Sequence, residues 1–507
     1  MFSFSKGRRG EDRDDGADDY GHVGWYDMGF RFGPVILPEA EDTQHSCAIG
    51  STGSGKTTIQ RLYMQDVLPH IRPGSDRRAL IYDAKQDLLP TLVGLDPDLD
   101  IVTSNPYDAR SAAWDIWRDA KSPAIIAEIA VTLLPEASES QPYFINAARC
   151  LAEGVMLSFL CRGIEWTLAD LLRAFRSPKL LRRVLRACPY TRHLIPLFCY
   201  DKKILGDILS TFASRMMAFV PLAASWEHAV ERFSIEEWSA EEYALVLGNY
   251  ETGKRAINII NRCIFKRACD VILNQPDSVS RRSHFILDEL SEMGHLDGLL
   301  SLAKKGRSKG ACLFIAFQSV SGLKDKNLYG SELTEEILDQ IGSFAIGRVG
   351  PDTAKWCSTL IGDEEISQFT ESTTATDPTF GNGGSKSKTR NQQIVTRPAV
   401  LPSELQSIPP CNIENGLTAI YLLRTEPCAV EATMDGSGLF ENDLIPPASD
   451  VANFEPRDWQ CELLEPWTQE QADLFAPKPS QKTGRSLRRQ IDSAEQPANP
   501  LDRMNDL

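Results

Sequence analysis

Cys47-Ala48-Ile49-Gly50-Ser51-Thr52-Gly53-Ser54-Gly55-Lys56-Thr57-Thr58 is the stretch that decides the fold of this 507-residue chain. A short apolar run leads into a glycine loop, and a helix-like stretch from Thr58 to Leu68 follows. That is the strand, loop and helix order of a P-loop. The glycines let successive backbone N–H groups turn inward and cradle phosphate oxygens. The helix points its positive end at the same anion. In this arrangement Gly50, Ser51, Thr52, Gly53, Ser54, Gly55, Lys56, Thr57 and Thr58 surround the phosphates of a nucleotide. Lys56 reaches the β- and γ-phosphates, and the Thr57 hydroxyl ligates Mg²⁺. ATP and Mg²⁺ are therefore the expected cofactors.

A second signal lies far downstream. His284-Phe285-Ile286-Leu287-Asp288-Glu289 is an apolar strand ending in two acids, which is what a Walker B strand needs. Asp288 would hold the Mg²⁺ hydration shell, and Glu289 would orient and deprotonate the attacking water. Gln318 closes the next apolar strand, where a polar residue can sense the γ-phosphate. Arg307 sits in a basic loop, Lys304 to Gly310, suited to an arginine finger for a neighbouring subunit's ATP or to nucleic-acid phosphate. Arg348, ending the next strand, is a second finger candidate. Asp87 ends the strand after the glycine-loop helix, on the ligand side of a parallel sheet. Arg176, Lys179, Arg182, Arg183, Arg186 and Arg192 fall on helical spacing and read as a DNA or partner surface or as a solvated helix face.

Composition bounds the rest. A hydrophobic content of 42% is ordinary for a globular protein. The sequence shows no uninterrupted apolar run near the roughly 18 residues of a membrane span. The charged start, Lys6 to Asp19, is unlike a secretory signal. The 12 cysteines form no CxxC pair. They read as buried thiols in a reducing compartment. These features point to a soluble cytoplasmic protein. The net charge of −16 argues against a chain coated for DNA while leaving room for a local basic channel.

Strand-like runs recur at Ala79–Tyr82, Ile101–Thr103, Tyr243–Leu247, His284–Leu287, Cys312–Phe317 and Phe344–Gly347, most of them flanked by helical patterns. This alternation predicts an α/β fold with a mainly parallel, doubly covered sheet. From Ala120 to Trp238 the pattern is almost wholly helical. The expected organisation is a disordered leader (1–20), a nucleotide-binding core in two parts (21–119 and 239–475), an all-helical insert (120–238) and a disordered tail (476–507). Glu371 to Lys388, rich in Gly, Ser, Thr and Lys, reads as a mobile loop.

Taken in order, these segments resemble the type IV secretion coupling ATPases, conjugative DNA pumps of the VirD4, TraG and TraD type. The resemblance runs from about His45 to Met434. Its pieces are Gly50 to Thr57; Asp83-Ala84-Lys85-Gln86-Asp87-Leu88, similar to that family's Asp-Pro-Lys-Gly-Glu-Leu; and Asn105-Pro106-Tyr107-Asp108 with Ala113-Trp114-Asp115. Leu287-Asp288-Glu289-Leu290 with Gly294, Gly306-Arg307, Gln318-Ser319, Leu360-Ile361-Gly362 and Arg397-Pro398 to Leu405 complete it. The resemblance implies a RecA-like P-loop NTPase core with an inserted all-helical domain. It also implies a homo-hexameric ring with ATP between subunits and Arg307 acting in trans. DNA would pass through the ring, delivered with a relaxase to a type IV secretion channel. Two departures stand out. Gln86 and Asp87 replace the family's Gly and Glu, and Lys56 lies too near the start for the family's membrane helices to precede it. The latter implies either a soluble subtype docked at the inner face of the membrane through a partner or a relative with a different job. Two other functions fit the same motifs: a ring motor pumping DNA in repair, packaging or chromosome movement, and an adaptor for protein cargo with nucleotide as its switch.

Overall fold

The computed structural model describes residues 3–4, 29–135, 142–375, 386–426 and 428–478. Its centre is a ten-stranded sheet. In chain order the strands are β1 (Ser3–Phe4), β2 (Ser46–Ile49), β3 (Arg77–Tyr82), β4 (Ile101–Ser104), β5 (Ala244–Leu247), β6 (Arg282–Leu287), β7 (Ala311–Phe317), β8 (Ser343–Ile346), β9 (Leu417–Leu422) and β10 (Val430–Met434). Across the sheet the order is β1-β10-β9-β8-β2-β7-β6-β3-β5-β4. The run from β8 to β4 is parallel throughout. β9, β10 and β1 extend it antiparallel along one edge.

The parallel strands read as continuous apolar runs because both faces are covered. Alternate residues divide between two cores. Ile49, Leu80, Tyr82, Leu245, Phe285, Leu287 and Ile315 pack on one side. Ala48, Ala79, Ile81, Val246, Ile286 and Phe314 pack on the other, with the helix Lys56–Val67. That division is the two-residue period of a strand. Tyr63 fastens the helix to the sheet: its hydroxyl donates to Asp42 Oδ1 at 2.6 Å and lies 3.0 Å from His284 Nδ1 on β6.

The short strands Ala113–Trp114 and Arg232–Phe233 pair side by side, so the helical segment between them leaves and rejoins the core at one place. Buried Asp119 fixes this junction. It accepts Trp114 Nε1 at 2.6 Å and the N–H groups of Ile235 and Glu236 at 2.9–3.0 Å. Ser122, Thr167, Ser177 and Asp201 cap helices starting at Pro123, Leu168, Pro178 and Lys202. Two helical runs, Pro142–Cys161 and Lys202–Glu227, are long and apolar enough to cross a membrane. Both pack into the bundle, where Leu151, Val155, Phe159, Leu205, Ile208 and Phe212 are buried.

Three features differ from the sequence reading. The loop expected at 371–388 belongs to a long antiparallel hairpin, Asp363–Ala375 with Lys386–Pro398; its connection, 376–385, lies outside the described residues. Within the expected leader, Ser3–Phe4 pair with β10, and the other residues of 1–20 lie outside the described set. The tail expected from 476 begins one residue early for its surroundings, because Ala476 is fully buried; residues 479–507 lie outside the described set.

The basic helix face also reads differently in three dimensions. A C-terminal strap, residues 454–476, crosses from the core onto the bundle, and arginines clasp its carbonyls. Arg173 Nε donates to Glu465 O at 2.8 Å and Arg176 to Leu464 O at 2.9 Å. Arg183 donates to Ala476 O. Arg182 binds Cys199 O, and Arg192 binds Arg186 O. Lys179 and Arg186 remain exposed. Four of the six basic groups expected on a DNA or partner surface thus donate to the chain's own backbone, although Arg176 and Arg192 among them stay exposed.

Candidate functional site

β2 delivers Gly50 to the C-terminal edge of the sheet, between β7 and β8. The loop is held from both neighbours: Gly50 N–H donates to Phe317 O at 3.3 Å, and Ser51 N–H to Arg348 O at 2.7 Å. Gly53 O accepts the N–H of Cys411 at 2.8 Å. Gly55 stands at φ 97°, and a Cβ there would lie 2.3 Å from Leu417 Cδ1, so both backbone and space demand glycine. The helix Lys56–Val67 begins directly after it without a side-chain cap. Its first N–H groups are thus open to an anion. Ser54 Oγ is buried without a partner among the described residues.

The charged groups converge on this loop. Lys56 Nζ donates to Gly50 O at 2.7 Å and reaches Ser51 O at 3.4 Å, closing the loop over itself. Burial lowers its pKa, and the nearby Glu289 and Asp288 pull it back up. Asp288 and Glu289 follow β6 and are 8% and 7% exposed. Glu289 Oε1 accepts the Ser291 hydroxyl at 2.8 Å. Gln318, directly after β7, accepts Thr52 Oγ1 at 3.4 Å. Thr58 Oγ1 lies 3.8 Å from Cys411 Sγ.

Lys85 is a member that sequence reasoning passed over, although it lay inside a quoted motif. Its ammonium sits between Thr57 Oγ1 (3.3 Å) and Asp288 Oδ2 (3.4 Å). A cation thus already bridges the two residues expected to hold Mg²⁺, and the oxygen donors suit that ion. The turn carrying Lys85 is built on Asp83, whose carboxylate accepts the N–H groups of Lys85, Asp87 and Leu88 at 3.0–3.3 Å. Burial pushes the pKa of Asp83 up to about 6. Gln86 in the same turn adopts φ 59°, the left-handed region. Asp87 is exposed, and its charge acts on Arg61 in the second turn of the loop helix.

Arg307 is not part of this cluster. It lies before β7, at the opposite end of a seven-residue strand. That is about 20 Å from the loop at strand spacing. Arg307 and Lys305 are exposed and have no side-chain partner among the described residues; they line a broad cleft with Asp277, Ser278 and Lys304. His45, given no role in the sequence reading, anchors this end. Its Nδ1 accepts Leu313 N–H at 3.2 Å, so its Nε2–H donates to Ala303 O at 3.0 Å. Burial lowers its pKa to about 4. Arg348 contributes its backbone carbonyl to the loop of its own chain.

Comparison with known proteins agrees with this architecture. Residues 30–417 match the type IV secretion-system coupling protein DNA-binding domain. The coupling protein TraD of Escherichia coli (strain K12) is 24% identical over 395 residues, which are 76% of this chain and 52% of TraD. The conjugal transfer protein TraG of Rhizobium radiobacter is 29% identical over 147 residues, 28% of this chain and 22% of TraG. The chain therefore spans about half the length of TraD and less of TraG. Among solved structures, the unbound conjugative coupling protein TrwB aligns with a TM-score of 0.63 at 17% identity, covering 84% of this chain and 91% of that one. TrwB in complex with ADP and Mg²⁺ aligns with a TM-score of 0.61 at 18% identity, covering 83% and 91%. The α/β core with its helical domain is the fold of those structures, and the chain belongs to the type IV secretion-system coupling protein family.

Proposed function

We propose that this chain is a ring-forming ATPase that uses ATP hydrolysis to drive DNA, or DNA bound to a relaxase, into a type IV secretion channel at the inner face of the cell membrane. The observation that carries the reading is the meeting of Lys56 and Thr57 with Asp288 and Glu289 at one edge of the sheet, in a chain of this family. Gly50 to Thr58 bind the phosphates through backbone N–H groups and Lys56. Thr57 and Asp288 are the residues that would hold Mg²⁺, which neutralises β- and γ-phosphate charge when bound. Glu289 takes a proton from the attacking water as the new P–O bond forms and the bond to ADP breaks. Ser291, hydrogen-bonded to Glu289, orients that carboxylate. Gln318 lies beside the loop, where it can report the loss of the γ-phosphate.

Arg307 is assigned to the ATP of a neighbouring copy in a hexamer. Its exposure, its lack of a partner among the described residues and its distance from its own loop support that role. Arg307, Lys304 and Lys305 from successive subunits would also give an acidic chain a basic lining. The test is steady-state ATP hydrolysis with and without single- and double-stranded DNA, with light scattering on the same samples. DNA stimulation in a hexamer, abolished by Glu289→Gln with nucleotide binding intact, is the expected result. An assembled ring indifferent to DNA would refute translocation and favour a nucleotide-switched adaptor. Mixing Arg307→Ala with Glu289→Gln subunits should recover partial activity if the arginine acts in trans.

A further inference from the structure

Lys85 brings a second ammonium to the phosphate loop, from the end of a different strand. Its Nζ lies 3.3 Å from Thr57 Oγ1 and 3.4 Å from Asp288 Oδ2. The Asp288 side chain is only 11% exposed, and its ion pair among the described residues is the one with Lys85. Lys56, the other ammonium of the cluster, is engaged with Gly50 O and Ser51 O. Two acids, Asp288 and Glu289, thus gather with two ammoniums. A carboxylate as buried as Asp288 is costly without a cation beside it.

The backbone under Lys85 is pinned, while its side chain is free to move. Asp83 N–H donates to Leu247 O at 3.0 Å, and Asn249 Nδ2 donates to Ala84 O at 3.3 Å. The Asp83 carboxylate accepts three N–H groups of the same turn. The Lys85 side chain is 54% exposed, so its ammonium can leave Asp288 for water without disturbing the turn. A lysine suits that exchange, being a strongly hydrated point charge on a flexible four-carbon stem. Mg²⁺ takes oxygen ligands at about 2.1 Å. The ammonium and the ion therefore answer to the same two oxygens, and two cations drawn to one place repel each other.

We propose that Lys85 is a built-in counter-ion, which keeps the place between Thr57 and Asp288 and yields it when a nucleotide binds with Mg²⁺. In this role Lys85 is a positioning residue, because it acts on the nucleotide through the cation site. It neutralises Asp288 ahead of the ion and sets how strongly nucleotide and Mg²⁺ bind as a pair. The inference rests on the nucleotide-binding reading above and needs neither the ring nor DNA.

Calorimetry of ADP binding, once with Mg²⁺ and once with excess EDTA, gives the ratio of the two affinities. It is read for the full chain, Lys85→Met and Lys85→Arg. Lys85→Met removes the charge and keeps most of the stem. It should bind ADP more weakly than the full chain in EDTA and at least as tightly with Mg²⁺. The ratio should rise about fivefold, or about 1 kcal/mol. Lys85→Arg keeps the charge and grips a carboxylate with two N–H groups, so its ratio should stay at or below that of the full chain. An unchanged ratio in Lys85→Met overturns the proposal and leaves a solvated lysine. Equal weakening with and without Mg²⁺ makes Lys85 a phosphate contact and equally overturns it. A ratio that rises alike in both variants does the same, because size rather than charge would then be at work.

Thermal unfolding in EDTA without nucleotide gives a second readout. Lys85→Met should lower the melting temperature of the full chain, but not when Asp288→Asn is also present. An equal drop in both backgrounds overturns the pairing. A full chain that binds ADP in neither condition defeats the nucleotide reading itself, and the counter-ion with it. A full chain that binds ADP, with the same ratio in Lys85→Met, defeats only the counter-ion.

Discussion

Gln86→Gly should stabilise the protein, and the turn around Asp83 shows by how much. Gln86 adopts φ 59°, where a residue with a Cβ is strained by about 1–2 kcal/mol. Its Nε2 is buried without a partner among the described residues, which costs about 1–3 kcal/mol. Glycine removes both penalties and gives back roughly 0.5–1 kcal/mol through its freer unfolded chain. The net expectation is a gain of about 2 kcal/mol. Gln86→Ala separates the contributions, because alanine removes the orphan amide but keeps the backbone strain. Urea unfolding followed by tryptophan fluorescence should order the midpoints glycine, then alanine, then wild type, at unchanged slope. A glycine variant at or below wild type would refute the strain argument. An alanine variant equal to the glycine one would show that the left-handed backbone costs no more than the roughly 0.5–1 kcal/mol that glycine loses through its freer unfolded chain. The resemblance pattern has Gly at this position, and the observed backbone gives the physical reason.

Three further outcomes follow from particular contacts. Lys56→Ala removes about two charge-assisted phosphate contacts, so affinity for an ATP analogue in calorimetry should fall roughly 100- to 1000-fold; an unchanged affinity would place the phosphates elsewhere. His45 has its pKa lowered to about 4 from 6.5, so the stability it contributes is complete above pH 6.5 and drains as pH falls toward 4. The depth of that loss is on the order of 3 kcal/mol. His45→Gln can keep both hydrogen bonds without titrating and should flatten the acid side of the stability curve; an equally steep curve in the variant would count against the assignment. Arg457 donates to the carbonyls of Pro106, Asp108, Ser111 and His228 at 2.9–3.2 Å. Arg457→Ala should cost roughly 3 kcal/mol in the local opening of the strap, seen as faster hydrogen exchange across residues 105–115. Lysine, a point charge without the fork, should not restore protection.

What the sequence made legible was whatever obeys a local rule. The parallel strands announced themselves because burial on both faces removes polar residues, leaving runs such as Cys312 to Phe317. The glycine loop and the acids after β6 were readable because phosphate and Mg²⁺ chemistry restrict residue type at fixed spacing. The antiparallel strands β9 and β10 went unread, since Val430–Met434 carries Glu431 and Thr433 and resembles a loop edge. The hairpin was read as a mobile loop from its Ser, Thr and Gly content. Thr is nonetheless a good strand former, and the strand pairing uses the backbone, which composition does not show. Lys85 was visible as a letter but not as a partner of Thr57 and Asp288, because that meeting joins three strand ends far apart in sequence.

The arginines of the helical segment show why charge patterns mislead in a chain of this kind. A basic helix face has two obvious partners, water and phosphate, and helical spacing cannot choose between them. The structure supplies a third, the carbonyl oxygens of the chain itself. Arg176 reaches Leu464, 288 residues away, and Arg183 reaches Ala476 at the end of the strap. A guanidinium fork satisfies carbonyls that would otherwise lie unpaired against the bundle, and it does so without an opposite charge. The strap is thereby joined to the helices that its aromatic residues also contact: Phe475 packs on Phe159, and Trp467 Nε1 donates to Asp170 at 2.7 Å. Lys179 and Arg186 are left over on these helices, and a further basic pair lies elsewhere. Lys305 and Arg307, in the segment that follows the Ala303 carbonyl bound by His45, are exposed cations without a side-chain partner among the described residues at one end of the sheet. An acidic protein of this family that handles DNA would meet phosphate through such a small, placed set rather than through its overall charge.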